Sequence, residues 1–236
     1  KLWNAFRFME PHLQLLDHGS GAPKKLGVVN EWLLHKASVA FERYQEYFER
    51  HEFGLALEPI EQFFWHDFCD NYVELTKNQL FNPNNYNAEE LHATRWTLYQ
   101  VGLRILQWFA PYLPHITESI YQLIYRPQLA SSSLHMTIFS SVQHAYQFEQ
   151  SKIVAENMVQ VSELVRKIKT EHKLSLKTPV SELLIYAKDS VLDALRPHAQ
   201  IIAGVTQAEK ITNHISSEKS LMMYQENNGW HIKVGI

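Results

Sequence analysis

A single cysteine, Cys69, stands among 236 residues, which excludes an internal disulfide and fits a reducing compartment, so a cytoplasmic location is expected. Glycine is also scarce, at eight, and none is arranged as a P-loop or a dinucleotide-binding turn. No Ser-centred nucleophile elbow occurs. The longest apolar runs are broken by charge within a few residues, so no transmembrane span is expected. The N-terminus shows neither a signal-peptide core nor an Arg-rich transit pattern, and no Met precedes Lys1, which points to a piece of a longer protein. Internal repeats and low-complexity tracts are absent. Excess positive charge is missing too: a net charge of −3 argues against a uniformly basic nucleic-acid binder while permitting local patches.

What is present is a globular composition, 45% hydrophobic and 12% aromatic, in a chain long enough to bury a sizeable core. The opening stretch KLWNAFRFMEPHLQLL reads as a helix. At about 100° per residue, Leu2, Ala5, Phe6 and Met9 share the core arc, while Lys1, Asn4 and Phe8 share another side with Arg7 beside them. Two readings fit that second face. Phe8 packs against a neighbouring helix with Lys1 and Arg7 solvated, or Phe8 offers a stacking face to a nucleobase while Asn4, Arg7 and Lys1 reach base edges or phosphates. Pro11 is expected to kink or end this helix.

A Gly/Ser/Pro-rich loop over 17–25 leads to a helix expected over about 30–51, with Trp32, Leu33, Val39, Ala40, Tyr44 and Phe48 at helical spacing. A further helix, about 55–79, contains EPIEQFFWHDFCDNYVELTK: Phe64, Phe68, Tyr72 and Leu75 form a core stripe, and Asp67, Asn71, Glu74 and Lys77 a polar one. The three-residue spacing of His66 and Cys69 suits two metal ligands but brings no third, and burial in the aromatic stripe would make the Cys69 thiol inert. After the turn cluster NPNNYN, helices are expected over 88–110 and 114–125, the latter opened by Pro114. These elements, joined by short loops, predict an antiparallel helical bundle over residues 1–140.

Beyond Pro127, LASSSLHMTIFSS reads as an irregular connection or short strand. Residues 141–236 are then expected to hold a helix over about 151–172 and a small α/β subdomain: SELLIYA, a short helix over 190–199, QAEKIT, SLMMYQ and WHIKVGI, with Asn227-Asn228-Gly229 marking a hairpin. The stretch SELVRKIKTEHKLSLK gathers Arg166, Lys167, Lys169, Lys173 and Lys177. It is either a solvated helix face or a contact for nucleic-acid backbone.

Several of these stretches occur together, in order and at the right spacing, in one family. KLWNAFRF, FFWHDFCDNYVELTK, LQWFAPYLPHITESIYQLI and SLHMTIF resemble the anticodon-binding region of class I aminoacyl-tRNA synthetases of the valine, isoleucine and leucine group. Lys1-Leu2-Trp3-Asn4 followed by Arg7-Phe8, and Phe68-Cys69-Asp70 before Tyr72 and Glu74, look most like the valyl members. The resemblance covers most of residues 1–140 and weakens beyond. It implies a helical bundle that follows a catalytic domain and reads the anticodon of tRNA, tRNA(Val) in particular, whose middle A and third C are splayed from the loop. It also implies Lys1, Arg7, Phe8 and, with a looser match, Asn4 as recognition residues.

The family's HIGH and KMSKS signatures do not occur, so ATP and Mg are expected to belong to the catalytic domain of the same parent chain and no cofactor to this region. The expected partners are tRNA and that catalytic domain, with no membrane and a monomeric state; the alternatives are an isoleucyl or leucyl relative, or a helical module that docks a protein partner through its aromatic surface. From charge alone, Arg166, Lys167, Lys169 and Lys173 are candidates for tRNA backbone. The sequence departs from the family at Asn71, where Trp is common, and at Phe139-Ser140, in place of Trp-Pro. No heptad segment precedes Ile236, whereas valyl enzymes commonly continue into a coiled-coil arm, so weaker tRNA binding than for a full-length enzyme is expected.

Overall fold

The computed structural model describes residues 1–137, 146–216, 220–227 and 229–236. Helices run over Leu2–Leu13 (α1), Val28–Glu49 (α2), Phe53–Gln62 (α3), Val73–Phe81 (α4), Ala88–Phe109 (α5), Pro114–Ile124 (α6) and Glu149–Glu171 (α7). A π-helix, Phe63–Tyr72, joins α3 to α4. The chain divides into two compact units, residues 1–72 with 83–149 and residues 73–82 with 150–236. The boundary expected at residue 140 lies outside the described residues, as do Phe139 and Ser140.

The first unit is a helical bundle. On α1 the expected arc is inward: Leu2, Phe6, Met9 and Leu13 are buried. Pro11 does not end the helix, which continues to Leu13 with Gln14 N donating to Glu10 O at 3.1 Å. A proline so near the end forfeits one backbone bond, and the next turn is already the last. On α2, Trp32, Leu33, Ala37, Phe41 and Tyr44 face the core, whereas Val39 is exposed.

The segment expected as one α-helix is helical throughout but changes its winding over FFWHDFCDNY. Phe64, Phe68 and Tyr72 form a buried ladder of stacked rings at centroid spacings of 6.1 and 6.0 Å. Trp108 of α5 stacks on Phe41 at 5.7 Å and meets Phe63 edge-on at 5.7 Å. At the end of the ladder, Tyr72 Oη donates to Asn30 Oδ1 at 2.7 Å, and Asn30 Nδ2 donates to Leu26 O at 2.6 Å and Thr94 Oγ1 at 3.3 Å. This buried node ties α2, the π-helix and α5 together with its polar atoms satisfied.

Asn87 caps α5 by accepting from Glu90 N at 2.8 Å, and Pro114 occupies the first turn of α6. Among the described residues, the chain after α6 is irregular with a 3-10 turn at Leu134–Met136. It is held by the Glu118 carboxylate, which accepts from Leu134 N at 2.9 Å and Ser133 Oγ at 3.0 Å.

The second unit contains a four-stranded sheet in the order β2-β1-β4-β3, formed by Val180–Ala187 (β1), Ala208–Ile215 (β2), Leu221–Glu226 (β3) and Gly229–Gly235 (β4). β1 runs parallel to both neighbours, and β3 and β4 pair antiparallel as the hairpin signal predicts; Asn228 lies outside the described residues. Leu183, Ile185, Ile232 and Val234 are buried, on alternate positions of two adjacent strands. The helical crossover is longer than the expected 190–199: Asp189–Leu195 (α8), a 3-10 turn Arg196–His198 and Ala199–Thr206 (α9). Pro197 sits in the first turn of that 3-10 segment, where a missing N–H costs nothing, so helical structure restarts. Gln207, at φ 61°, then ends α9.

Candidate nucleic-acid interface

Because α1 buries positions 2, 6, 9, 12 and 13, the side away from them is left accessible. Lys1, Trp3, Asn4 and Arg7 are exposed, and Phe8 is half-buried with its ring 5.4 Å from that of His12. The four residues expected to read an anticodon therefore all keep accessible surface on one short helix. No acidic residue occupies the first turn, so the positive end of the helix dipole adds to Lys1 and Arg7. Arg7 also lines a small cleft with Trp3 and Glu10 of α1 and Ile120, Leu123 and Ile124 of α6.

Two neighbours of this face were not legible as such. Trp65 of the π-helix lies under Lys1, whose Nζ is 4.4 Å from the indole centroid. Arg95 of α5 is close enough to His12 to bias its charge. Read as a core stripe and a core helix, the two segments carry no periodic signal that assigns either side chain to α1.

His12 is buried, and burial, followed by the Arg95 charge, holds its pKa below the ordinary 6.5. The folded state thus binds fewer protons than the unfolded state just below pH 6.5, so its contribution is complete above that value and is lost as pH falls. Thermal unfolding followed from pH 7.5 to 5.5 is expected to show a falling Tm, with a shallower fall in His12→Gln.

The basic stretch behaves differently from its reading as a uniform cationic face. Lys167, Lys173 and Lys177 are exposed and Arg166 is half-buried. Lys169 is 2% exposed. Its Nζ donates to the carbonyls of Leu176 at 3.1 Å, Thr178 at 2.7 Å and Thr206 at 2.9 Å. Burial pushes its pKa down to about 8. Lys169 is thereby corrected from a backbone-contact candidate to an internal tie, because a buried ammonium whose three protons are spent on backbone carbonyls has none for a phosphate.

Cys69 is part-buried, and burial, with Asp70 adding to it, pushes the thiol up to about 12. Among the described residues no group of three or more His, Cys, Asp or Glu side chains is placed to hold a metal, and no helix is long and apolar enough to cross a membrane. Asn71, where the family commonly has Trp, is 2% exposed and donates from Nδ2 to His66 O at 3.1 Å inside the π-helix.

The chain is similar to known valine–tRNA ligases. The valine–tRNA ligase of Thermococcus kodakarensis is 29% identical over 211 residues, 89% of this chain and 23% of that protein. That of Rickettsia canadensis is 30% identical over 226 residues, 93% of this chain and 27% of the relative. The chain therefore spans about a quarter of the length of the curated relatives it matches. Residues 30–185 match the family described as the anticodon-binding domain of tRNA ligase. With two-thirds of its length inside that match and a helical bundle as its first unit, this chain belongs to the anticodon-binding-domain family of tRNA ligases.

Proposed function

We propose that the outward face of α1 reads the anticodon of tRNA(Val), on behalf of an aminoacylation reaction carried out elsewhere in a larger valine–tRNA ligase. The carrying observation is that Lys1, Asn4, Arg7 and Phe8 all retain accessible surface on a helix whose opposite side is fully committed to the core. Phe8 supplies a ring for stacking, Lys1 and Arg7 supply cations for phosphates or base acceptors, and Asn4 supplies an amide that both donates and accepts. Lys167 and Lys173, with Arg166 beside them, supply backbone attraction that is independent of sequence.

Titrating the chain with tRNA(Val) and with the same tRNA carrying a swapped anticodon tests the reading. Tighter binding of tRNA(Val) is expected, and equal affinity overturns it. Phe8→Ala is expected to weaken tRNA(Val) about 5- to 150-fold, the range set by losing one base-on-aromatic stack of about 1–3 kcal/mol. Arg7→Gln is expected to reduce the slope of log K against log salt by about 0.7 if it meets phosphate on an unpaired loop.

A further inference from the structure

Trp65 lies beneath the Lys1 ammonium, and three features bear on its indole. Its face carries Nζ at 4.4 Å from the ring centroid. Its neighbour Phe64, 1% exposed, meets the indole at 4.8 Å and 58°, bracing it from the core. The turn that follows is pinned by the buried Asn71 side-chain amide, which donates to the His66 carbonyl within the π-wound tract. Lys1 also stands among the charges that act on the Cys69 thiol, four residues further along the same helix, so this exposed ammonium lies near the tract.

A lysine side chain left to itself samples many rotamers, and ordering it on binding costs affinity. An indole face is the best aromatic partner for a cation and is indifferent to rotation about the Cε–Nζ bond, so it can hold the ammonium in place while the protons directed away from the ring stay available. The π-helix is rare in proteins and tends to mark functional sites. Here its consequence is specific: it sets the angular position of Trp65 relative to the start of α1. We infer that Trp65 is a positioning residue, holding Lys1 on its ring face so that the ammonium is pre-arranged for an anticodon base. The inference rests on the anticodon reading proposed above.

The test is a double-mutant cycle on the full chain with Lys1→Met, Trp65→Leu and the pair, titrated with tRNA(Val) and its anticodon-swapped form. Trp65→Leu is expected to weaken tRNA(Val) about 2- to 5-fold, with the swapped tRNA changed less, and to have no further effect once Lys1 is Met. Trp65→Phe, which keeps an aromatic face, is expected to recover most of the loss. NMR of the free chain supplies a readout that does not need tRNA: the Lys1 ε-methylene protons are expected upfield from the ring current, returning to ordinary shifts in Trp65→Leu. Additive losses from the two single variants, or ε-protons at ordinary shifts in the unaltered chain, overturn the role of Trp65 while leaving the anticodon reading standing. Equal affinity of the unaltered chain for the two tRNAs overturns the anticodon reading, and this role of Trp65 with it.

Discussion

Replacing Lys169 by Met is expected to destabilise the second unit by roughly 3 kcal/mol, a large part of a typical domain's total stability. The carbonyls of Leu176 and Thr178, on the approach to β1, and of Thr206, at the end of α9, all receive a proton from Nζ within 3.1 Å. Met fills the space but donates nothing, and each buried carbonyl left unpaired costs about 1–3 kcal/mol. The gain from no longer burying a charge offsets part of this. Urea unfolding followed by a signal from the sheet measures it, with Lys167→Met, on the exposed side of the same helix, expected to be neutral.

The pH dependence follows from the same burial. With the folded pKa near 8 against an ordinary 10.5, the unfolded chain binds more protons between those values, so stability attributable to Lys169 rises with pH across that window. Lys169→Met removes that rise. A backbone-contact role makes the opposite forecast on both counts, with tRNA affinity per folded molecule reduced and stability untouched.

Gly102→Ala is expected to cost about 2 kcal/mol, although an alanine in mid-helix normally gains up to about 1 kcal/mol over glycine. A Cβ at this point of α5 would overlap Tyr125 Oη and stand 2.6 Å from Met9 Cε and 3.3 Å from Phe6 Cε1. The tightest of these does not yield cheaply. Tyr125 is fully buried and donates to Tyr99 O at 3.2 Å, while Phe6 and Met9 are the core face of α1 itself. Relief therefore displaces Tyr125 and presses on the core face of α1, which carries the proposed anticodon-reading residues on its other side. Tm and tRNA(Val) affinity should fall together in this variant. Gly54→Ala, in the first turn of α3 with open space around its Cβ position, serves as the control and is expected to be neutral or slightly stabilising.

Periodicity carried most of the helical layout. The inward arc of α1, the Phe64-Phe68-Tyr72 stripe and the Asn87 cap at the head of α5 are all local in sequence, and each is where the pattern puts it. Misjudged features share a cause. Pro11, Val39 and the length of the crossover after β1 depend on how much helix a neighbouring element stabilises, and a propensity window does not contain that element. The π winding escaped notice because residues four apart fall on one side of either helix, so the aromatic stripe looks the same in both.

Within the candidate interface, the sequence by itself determined the apolar arc of α1 and which positions, Lys1, Asn4, Arg7 and Phe8, fall outside it. Only tertiary structure decided what surrounds them and which cations are available. Trp65 reaches Lys1 across 64 positions of chain, and Lys169 disappears among carbonyls up to 37 positions away while its neighbour Lys167 stays in water. Charge and spacing specify a side chain's chemistry, but burial is set by what folds back onto it, and burial is what separates a cation that can meet a phosphate from one that holds the fold together.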